Sequence, residues 1–252
     1  MSKPARSGTV QSVDRTIELL ELLADAGGQA TLSELAGQTE LPLPTIHRLM
    51  RTLLNHGYVR QLPSREYSLG PRLIRLGEIA GRQFGTVAQP FLNRLARELG
   101  ESANLAIMDR DMAVYVAQAS STHSMRMFTE VGRRVFPHST GVGKAMLSKL
   151  PDQSVVDITH RIGMPVSTDK MITSQTHLLE EINKIRSQGF AIDDGEQELG
   201  VRCFAVPVPD APTPIAISVS GPDARVTSEF GERAVPLLQE VARDISQALH
   251  QQ

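Results

Sequence analysis

The chain has 252 residues, 40% hydrophobic and 21% charged, with a formal net charge of -2. This is a globular composition with room for two domains, and disorder is not expected beyond the ends. A single cysteine, Cys203, excludes an intrachain disulfide, and no apolar run approaches the roughly 18 residues of a membrane-spanning helix.

No secretory hydrophobic stretch follows Met1, so the expected location is the cytoplasm, with no membrane partner. Charge is unevenly spread. Between Leu43 and Arg75 stand six arginines (48, 51, 60, 65, 72 and 75) with His47 and His56, against one acid, Glu66. A local cationic patch in a slightly acidic chain points to a polyanionic partner.

Residues 1–9 have no apolar period and read as a flexible basic arm. Residues 10–70 are expected to form a winged helix-turn-helix domain. Its first helix carries the stripe Val13, Ile17, Leu20 and Leu23 and stops at Gly27-Gly28. Thr31 with Glu34 forms a capping box that opens a short second helix. A turn through Pro42 precedes the third, which has Pro44 in its first turn and Gly57 at its stop. There Ile46, Leu49, Met50, Leu53 and Leu54 recur at helical spacing and leave Thr45, His47, Arg48, Arg51, Thr52 and Asn55 outward. The alternating stretches 58–61 and 66–69, hinged at Pro63-Ser64, predict a small hairpin or wing that carries Arg65.

Pro71 opens a linker helix over 71–86, whose Leu73, Ile74, Leu76 and Ile79 have no obvious partner within the small domain and are expected to pair with a second copy. The rest, 87–252, reads as mixed α/β. A helix through Leu92 and Leu95 leads into a hairpin of 104–108 and 113–118, a further strand over 124–130, and a loop entering a helix over 139–150. A helix over 174–187 then precedes strands 190–193, 202–208 and 215–220, and a last helix runs through Leu238 and Ile245. Paired strands between helices predict an antiparallel sheet covered by helices.

The outward face of the third helix suits a DNA groove. Arginine can bond two acceptors on a guanine edge or clasp a phosphate, and threonine can meet phosphate or a thymine methyl. Arg48 and Arg51 are the favoured base readers, with Thr45, His47 and Thr52 beside them and Arg65 near phosphate or the minor groove. The competing view, a merely solvated arginine face, fits any one arginine but fits poorly the ensemble of capped helix, basic helix and basic wing. A winged helix making protein contacts in a dimeric scaffold is a further alternative, against which the arginine excess argues.

Val10-Gln11-Ser12-Val13-Asp14-Arg15, Thr45-Ile46-His47-Arg48-Leu49 and Gly57-Tyr58-Val59 resemble the N-terminal signatures of the IclR family of bacterial transcription regulators. His138 to Ala145, Gly189 to Glu196, Gly200-Val201-Arg202-Cys203 and Ile217 to Pro222 resemble its effector domain, so the likeness spans nearly the whole chain. The resemblance implies an α/β (α+β) chain with three parts: a winged helix-turn-helix domain, a linker helix and a C-terminal GAF-like effector and oligomerisation domain. It also implies a homodimer or homotetramer on palindromic double-stranded operators, usually as a repressor. One departure is Leu43-Pro44, where members often carry a Lys-Ser or similar pair. Its loss of a charge and a hydroxyl shifts expected contacts toward Thr45, Arg48 and the wing.

For the effector, Ser218 and Ser220 sit two apart on a strand and so present two hydroxyls to one face. Gly141 and Val142 lie where a loop feeds a helix, where free first-turn amides can hold a carboxylate. Asp193 can accept from a ligand hydroxyl, and Cys203 is a small soft wall. The resemblance places all six at the family's pocket and implies a small oxo or hydroxy carboxylic acid as effector.

Enzyme signals are weak. Residues 140–145 are not a Walker loop, because Ala145 replaces the magnesium-binding hydroxyl and His138 stands where a glycine is required. Cys203 as nucleophile in a small-molecule-processing enzyme is the main alternative, without a local signature to support it. The acids Asp193, Asp194, Glu196 and Glu198 lack a calcium-loop pattern and read as a solvated turn. No metal and no cofactor is expected.

Overall fold

The computed structural model describes residues 9–127 and 129–251, with backbone alone at 82–84. The chain divides into two compact units, residues 1–80 and 81–252. The expected arm over 1–9 lies, but for residue 9, outside the described residues.

The first unit contains α1 (Gln11–Asp25), β1 (Gln29–Ala30), α2 (Leu32–Gln38), α3 (Leu43–Asn55), β2 (Val59–Gln61) and β3 (Tyr67–Leu69). Its small sheet is antiparallel in the order β1-β3-β2, with Gln61 opposite Tyr67 and Ala30 opposite Tyr67 on the other side. The core gathers Leu19, Leu23, Leu35, Ile46, Met50, Leu53, Val59 and Tyr67. The expected stripe of α1 is therefore met only toward its C-terminal end: Leu23 is in the core and Leu20 packs against it, but Val13 and Ile17 are 53% and 51% exposed, and Leu19, outside the stripe, is buried. The helix is apolar on two adjacent sides, and the side packed on α3 is the one that is buried. The strand β1 had no pattern to announce it.

At the start of α2 the capping box is complete. The Thr31 hydroxyl accepts from the Glu34 amide (3.2 Å), and the Glu34 carboxylate accepts from the Thr31 amide (2.7 Å). Thr31→Ala is expected to cost about 1 kcal/mol of stability, read as a lower urea midpoint with unchanged slope.

Helix α4 (Arg72–Gly85) crosses the boundary between the units. Its apolar side chains Ile74, Leu76 and Ile79 are exposed.

The second unit contains α5 (Gln89–Leu99), β4 (Ser102–Asp109), β5 (Met112–Ala119), β6 (Arg134–Val135), α6 (Gly141–Leu147), α7 (Asp152–Ile162), α8 (Gln175–Gln188), β7 (Ala191–Asp194), β8 (Val201–Pro207), β9 (Ile215–Pro222) and α9 (Ser228–His250). Its sheet has the order β6-β5-β4-β9-β8-β7, and every pairing is antiparallel. Side chains alternate across it. Leu105, Phe204, Val206, Ile217 and Val219 share a core with Leu92, Leu95, Leu238, Val241 and Ile245 of α5 and α9. Ala106, Ala191, Cys203, Ala205 and Ala216 share another with Met146, Leu147, Leu178 and Ile182 of α6 and α8. The small residues of this second face let α6 lie close: a Cβ on Gly141 would stand 3.0 Å from the Cys203 sulfur.

One expectation fails here and one element was not foreseen. No described residue of 124–130 is in a strand. Carbonyls of that stretch are taken by side chains instead, Met127 O by the Ser102 hydroxyl (2.9 Å) and Met125 O by Arg225 (2.9 Å), and β5 pairs with β6. Helix α7 was not expected, for its apolar pattern is thin: only Val155, Ile158 and Thr159 are buried.

Candidate functional site

In the first unit α3 stands with Ile46, Met50 and Leu53 in the core and His47, Arg48, Arg51, Thr52 and Asn55 exposed, with Thr45 half-buried. Arg65 lies in the tight turn between β2 and β3 at φ 70°, a left-handed backbone closed by its amide on Leu62 O (2.9 Å).

The six arginines separate by their partners. Arg60 Nε donates to the Ser68 hydroxyl (2.9 Å). Arg72 donates to His56 O (3.3 Å) and lies 5.6 Å from the Tyr58 ring centroid. The side chains of Arg48, Arg51, Arg65 and Arg75 have no hydrogen-bond or ion-pair partner among the described residues. The Thr52 hydroxyl donates to Arg48 O (3.0 Å), so its free valence is that of an acceptor.

In the second unit the predicted effector residues fall on one sheet face and the helix above it. Asp193, Cys203, Ser220 and Ser102 are successive register partners across β7, β8, β9 and β4, and the next row runs Ala205, Ser218, Asn104. Gly141 faces Cys203 and Ala205, and Val142 is fully buried in the α6 core. Thr140 caps α6 by accepting the Gly143 amide (3.1 Å), which leaves the Gly141 and Val142 amides as its first-turn donors.

The polar groups differ in how far they are satisfied. Ser220 Oγ accepts from Asn104 Nδ2 (3.2 Å). Asp193 Oδ1 accepts the amides of Glu196 (2.8 Å) and Gln197 (3.3 Å), so this carboxylate also ties the β7–β8 turn. Ser218 Oγ, wholly buried, has no hydrogen-bond partner among the described residues. A cavity of about 260 Å³ opens elsewhere, against Lys149, Gly189, Val206, Pro207, Gln239 and Arg243, and none of the six predicted residues lines it.

The site holds charges that the sequence reading missed. Lys144, one turn beyond Gly141, is 1% exposed and ion-paired with Glu196, itself nearly buried. The acids of this turn are thus not all solvated: Asp193 and Glu196 are inside, Asp194 pairs with Arg202 at 2.7 Å, and Glu198 is exposed. The signal was a lone lysine inside the otherwise apolar Gly141–Leu147. Burial pushes the Asp193 and Glu196 carboxyls up, the Tyr115 hydroxyl up and the His138 imidazole down. Among the described residues no group of acids, histidines and cysteine is arranged to hold a metal ion.

Burial, reinforced by Asp193, pushes the Cys203 thiol up to about 12. A nucleophilic cysteine needs the opposite, a thiolate near neutrality, so the enzyme alternative loses its residue. Family comparison agrees, for it points to transcriptional regulators and not to enzymes. The model of the IclR helix-turn-helix domain matches residues 12–63, and that of the bacterial transcriptional regulator IclR C-terminal domain matches residues 79–247. The transcriptional repressor IclR of Escherichia coli is 35% identical over 246 residues, covering 93% of this chain and 90% of its own. Among solved structures, an IclR-type regulator from Alicyclobacillus acidocaldarius superposes with a TM-score of 0.83 at 28% identity, over 95% of this chain and 99% of its own. An IclR homolog from Microbacterium hydrocarbonoxydans, solved with 4-hydroxybenzoate, shares the fold at 21% identity and a TM-score of 0.78, over 96% of this chain and 100% of its own. From its two matched domains and its full-length likeness to a known member, this chain belongs to the IclR family of bacterial transcriptional regulators.

Proposed function

We propose that this chain is a cytoplasmic repressor that binds a palindromic operator as a homodimer or a dimer of dimers, and that a small oxo or hydroxy carboxylic acid sets its operator affinity. The observation that carries the DNA half is the exposed face of α3 and the wing, where Arg48, Arg51 and Arg65 are cationic, outward and without side-chain partners among the described residues. Arg48 and Arg51 read base edges, with Thr45, His47 and Thr52 beside them, while Arg65 anchors phosphate or enters the minor groove. Arg60 and Arg72, each tied to its own domain, contribute field more than contact.

The effector half rests on Asp193, Cys203, Ser218 and Ser220, which share one sheet face, on Gly141 and Val142 in α6 above it, and on the buried Ser218 hydroxyl that has no hydrogen-bond partner among the described residues. The 4-hydroxybenzoate of the Microbacterium protein supports the ligand class, being itself a hydroxy carboxylic acid. Helix α4 joins the two halves, and its exposed Ile74, Leu76 and Ile79 are the surface we assign to a second copy.

Fluorescence anisotropy on the duplex upstream of the protein's own gene tests the DNA half. Arg48→Ala is expected to weaken specific binding by about 5- to 150-fold, the equivalent of about 1–3 kcal/mol. Arg65→Ala is expected to weaken all sequences alike and to flatten the salt dependence by about one phosphate contact. Unchanged affinity in Arg48→Ala would show that α3 is not the reading element.

A further inference from the structure

Two carboxyl groups and one ammonium are buried together between α6 and the turn that follows β7. Lys144 is paired through Nζ with Glu196 Oε1, and Asp193 is held three residues before Glu196 by the turn amides. The remaining groups around them come from several elements. Tyr115 on β5 and Cys203 on β8 are neutral because burial raises both, and His138, before α6, is neutral because burial lowers it. Glu181 on α8 is half-buried and lies 3.7 Å from Lys184. Lys170 is exposed beside Gly195.

One buried cation therefore faces two buried carboxyls before any acid has bound. An anion added to this set would place three negative groups about Lys144, in surroundings where like charges are poorly screened. The existing pair is also incomplete, for Glu196 Oε2 is buried with no hydrogen-bond partner among the described residues. Lys144 holds its carboxylate by one oxygen, and it lies on the same helix as the free amides of Gly141 and Val142.

Resting on the effector reading above, we propose that a carboxylate effector enters by taking the place of Glu196 on Lys144, and that the displaced Glu196 carboxylate takes one proton from solvent. The charges balance: the ligand brings one negative charge, the proton cancels that of Glu196, and the site keeps its net charge. Burial already raises the Glu196 carboxyl with Lys144 beside it, and loss of that cation raises it further. The Lys144–Glu196 pair is then a stand-in for the ligand, selective for anions over their neutral analogues.

The test is calorimetric titration of the full chain with lactate, 2-oxobutyrate and 4-hydroxybenzoate, each beside its neutral amide. It is run at pH 6.5, 7.5 and 8.5 in buffers of differing ionisation heat. The carboxyl groups are ionised throughout that range, so with lactate and 2-oxobutyrate any proton taken up goes to the protein, and for 4-hydroxybenzoate, whose phenol begins to ionise near pH 8.5, the balance is read at pH 6.5 and 7.5. An acid is expected to bind where its amide does not, with uptake of about one proton and an affinity that falls about tenfold per pH unit. In Glu196→Gln the acid still binds, but proton uptake and the pH slope vanish. Should that variant not fold, Lys144→Gln with Glu196→Gln leaves an uncharged pair, and its acid affinity is expected to drop at least tenfold.

Binding without proton uptake, uptake that persists in Glu196→Gln, or unchanged affinity in the double variant overturns this inference and leaves the effector reading standing. If none of the acids binds at any pH, the effector reading itself falls.

Discussion

Lys144→Met is expected to destabilise the C-terminal unit by about 3–5 kcal/mol, because it leaves the Glu196 carboxylate inside the protein without its cation. For a unit of this size that corresponds to a melting temperature lower by about 6–20 °C, measurable by scanning calorimetry. Lys144→Met combined with Glu196→Leu should recover most of the loss, since replacing both members of a buried pair by apolar groups is often neutral. The pH dependence has a definite sign. The folded carboxyl of Glu196 is raised above its ordinary value, so its contribution is fully present below that ordinary value and is lost as pH rises through the folded one. Removing Lys144 raises the folded value further. The single variant is therefore nearly as stable as the parent below the ordinary glutamate range and falls progressively behind as pH rises toward neutrality. A pH-independent deficit would mean that the loss comes from packing of the lysine stem.

Gly143→Ala is the second large effect. An added Cβ would stand 2.3 Å from Pro137 Cα and 2.4 Å from Pro137 O, both backbone atoms that cannot swing aside. Either α6 withdraws or the turn before it does. Overpacking of this kind costs about 1–3 kcal/mol, and the rigid backbone neighbour argues for the upper end. The consequence extends beyond stability, because Thr140 caps this same turn and Gly141, Val142 and Lys144 are carried by it. Acid binding measured by thermal shift should therefore fall together with the melting temperature, whereas Gly77→Ala, where an added Cβ meets nothing within 4 Å, should leave binding intact.

What the sequence made legible follows from how each element is stabilised. Helix α3 was readable because one face is aliphatic and the other polar, and α2 because its capping box is a local device. Helix α1 was found but its buried side only half placed, since apolar residues lie on two of its sides and packing on α3, β3 and α2 buries Leu19 with the expected Leu23 while leaving Val13 and Ile17 exposed. The strand expected over 124–130 is absent among the described residues, where partners distant in sequence, Ser102 and Arg225, take up carbonyls of that stretch. Helix α7 shows so few buried positions that periodicity alone could not raise it above a loop. In the effector region, the pairing of Ser218 with Ser220 on one face followed from strand geometry. The Gly141–Cys203 approach was not visible, because it depends on a helix and a strand about sixty residues apart. Lys144 and Glu196 were missed for a general reason: charged residues are almost always exposed unless paired, and pairing across fifty residues is a property of the fold.

Helix α4 has a consequence of its own. Fourteen residues is close to the lower limit for a helix that persists in water, and Gly77 and Gly81 each weaken it by about 0.5–1 kcal/mol relative to alanine. Its side chains from Ile74 to Ala80 lie exposed. The joint between the two units is thus a spring with little stiffness of its own, and its stiffness is set by whatever covers it. A signal crossing such a joint can be written in how much of the helix is formed, a graded quantity, as well as in the direction in which it points.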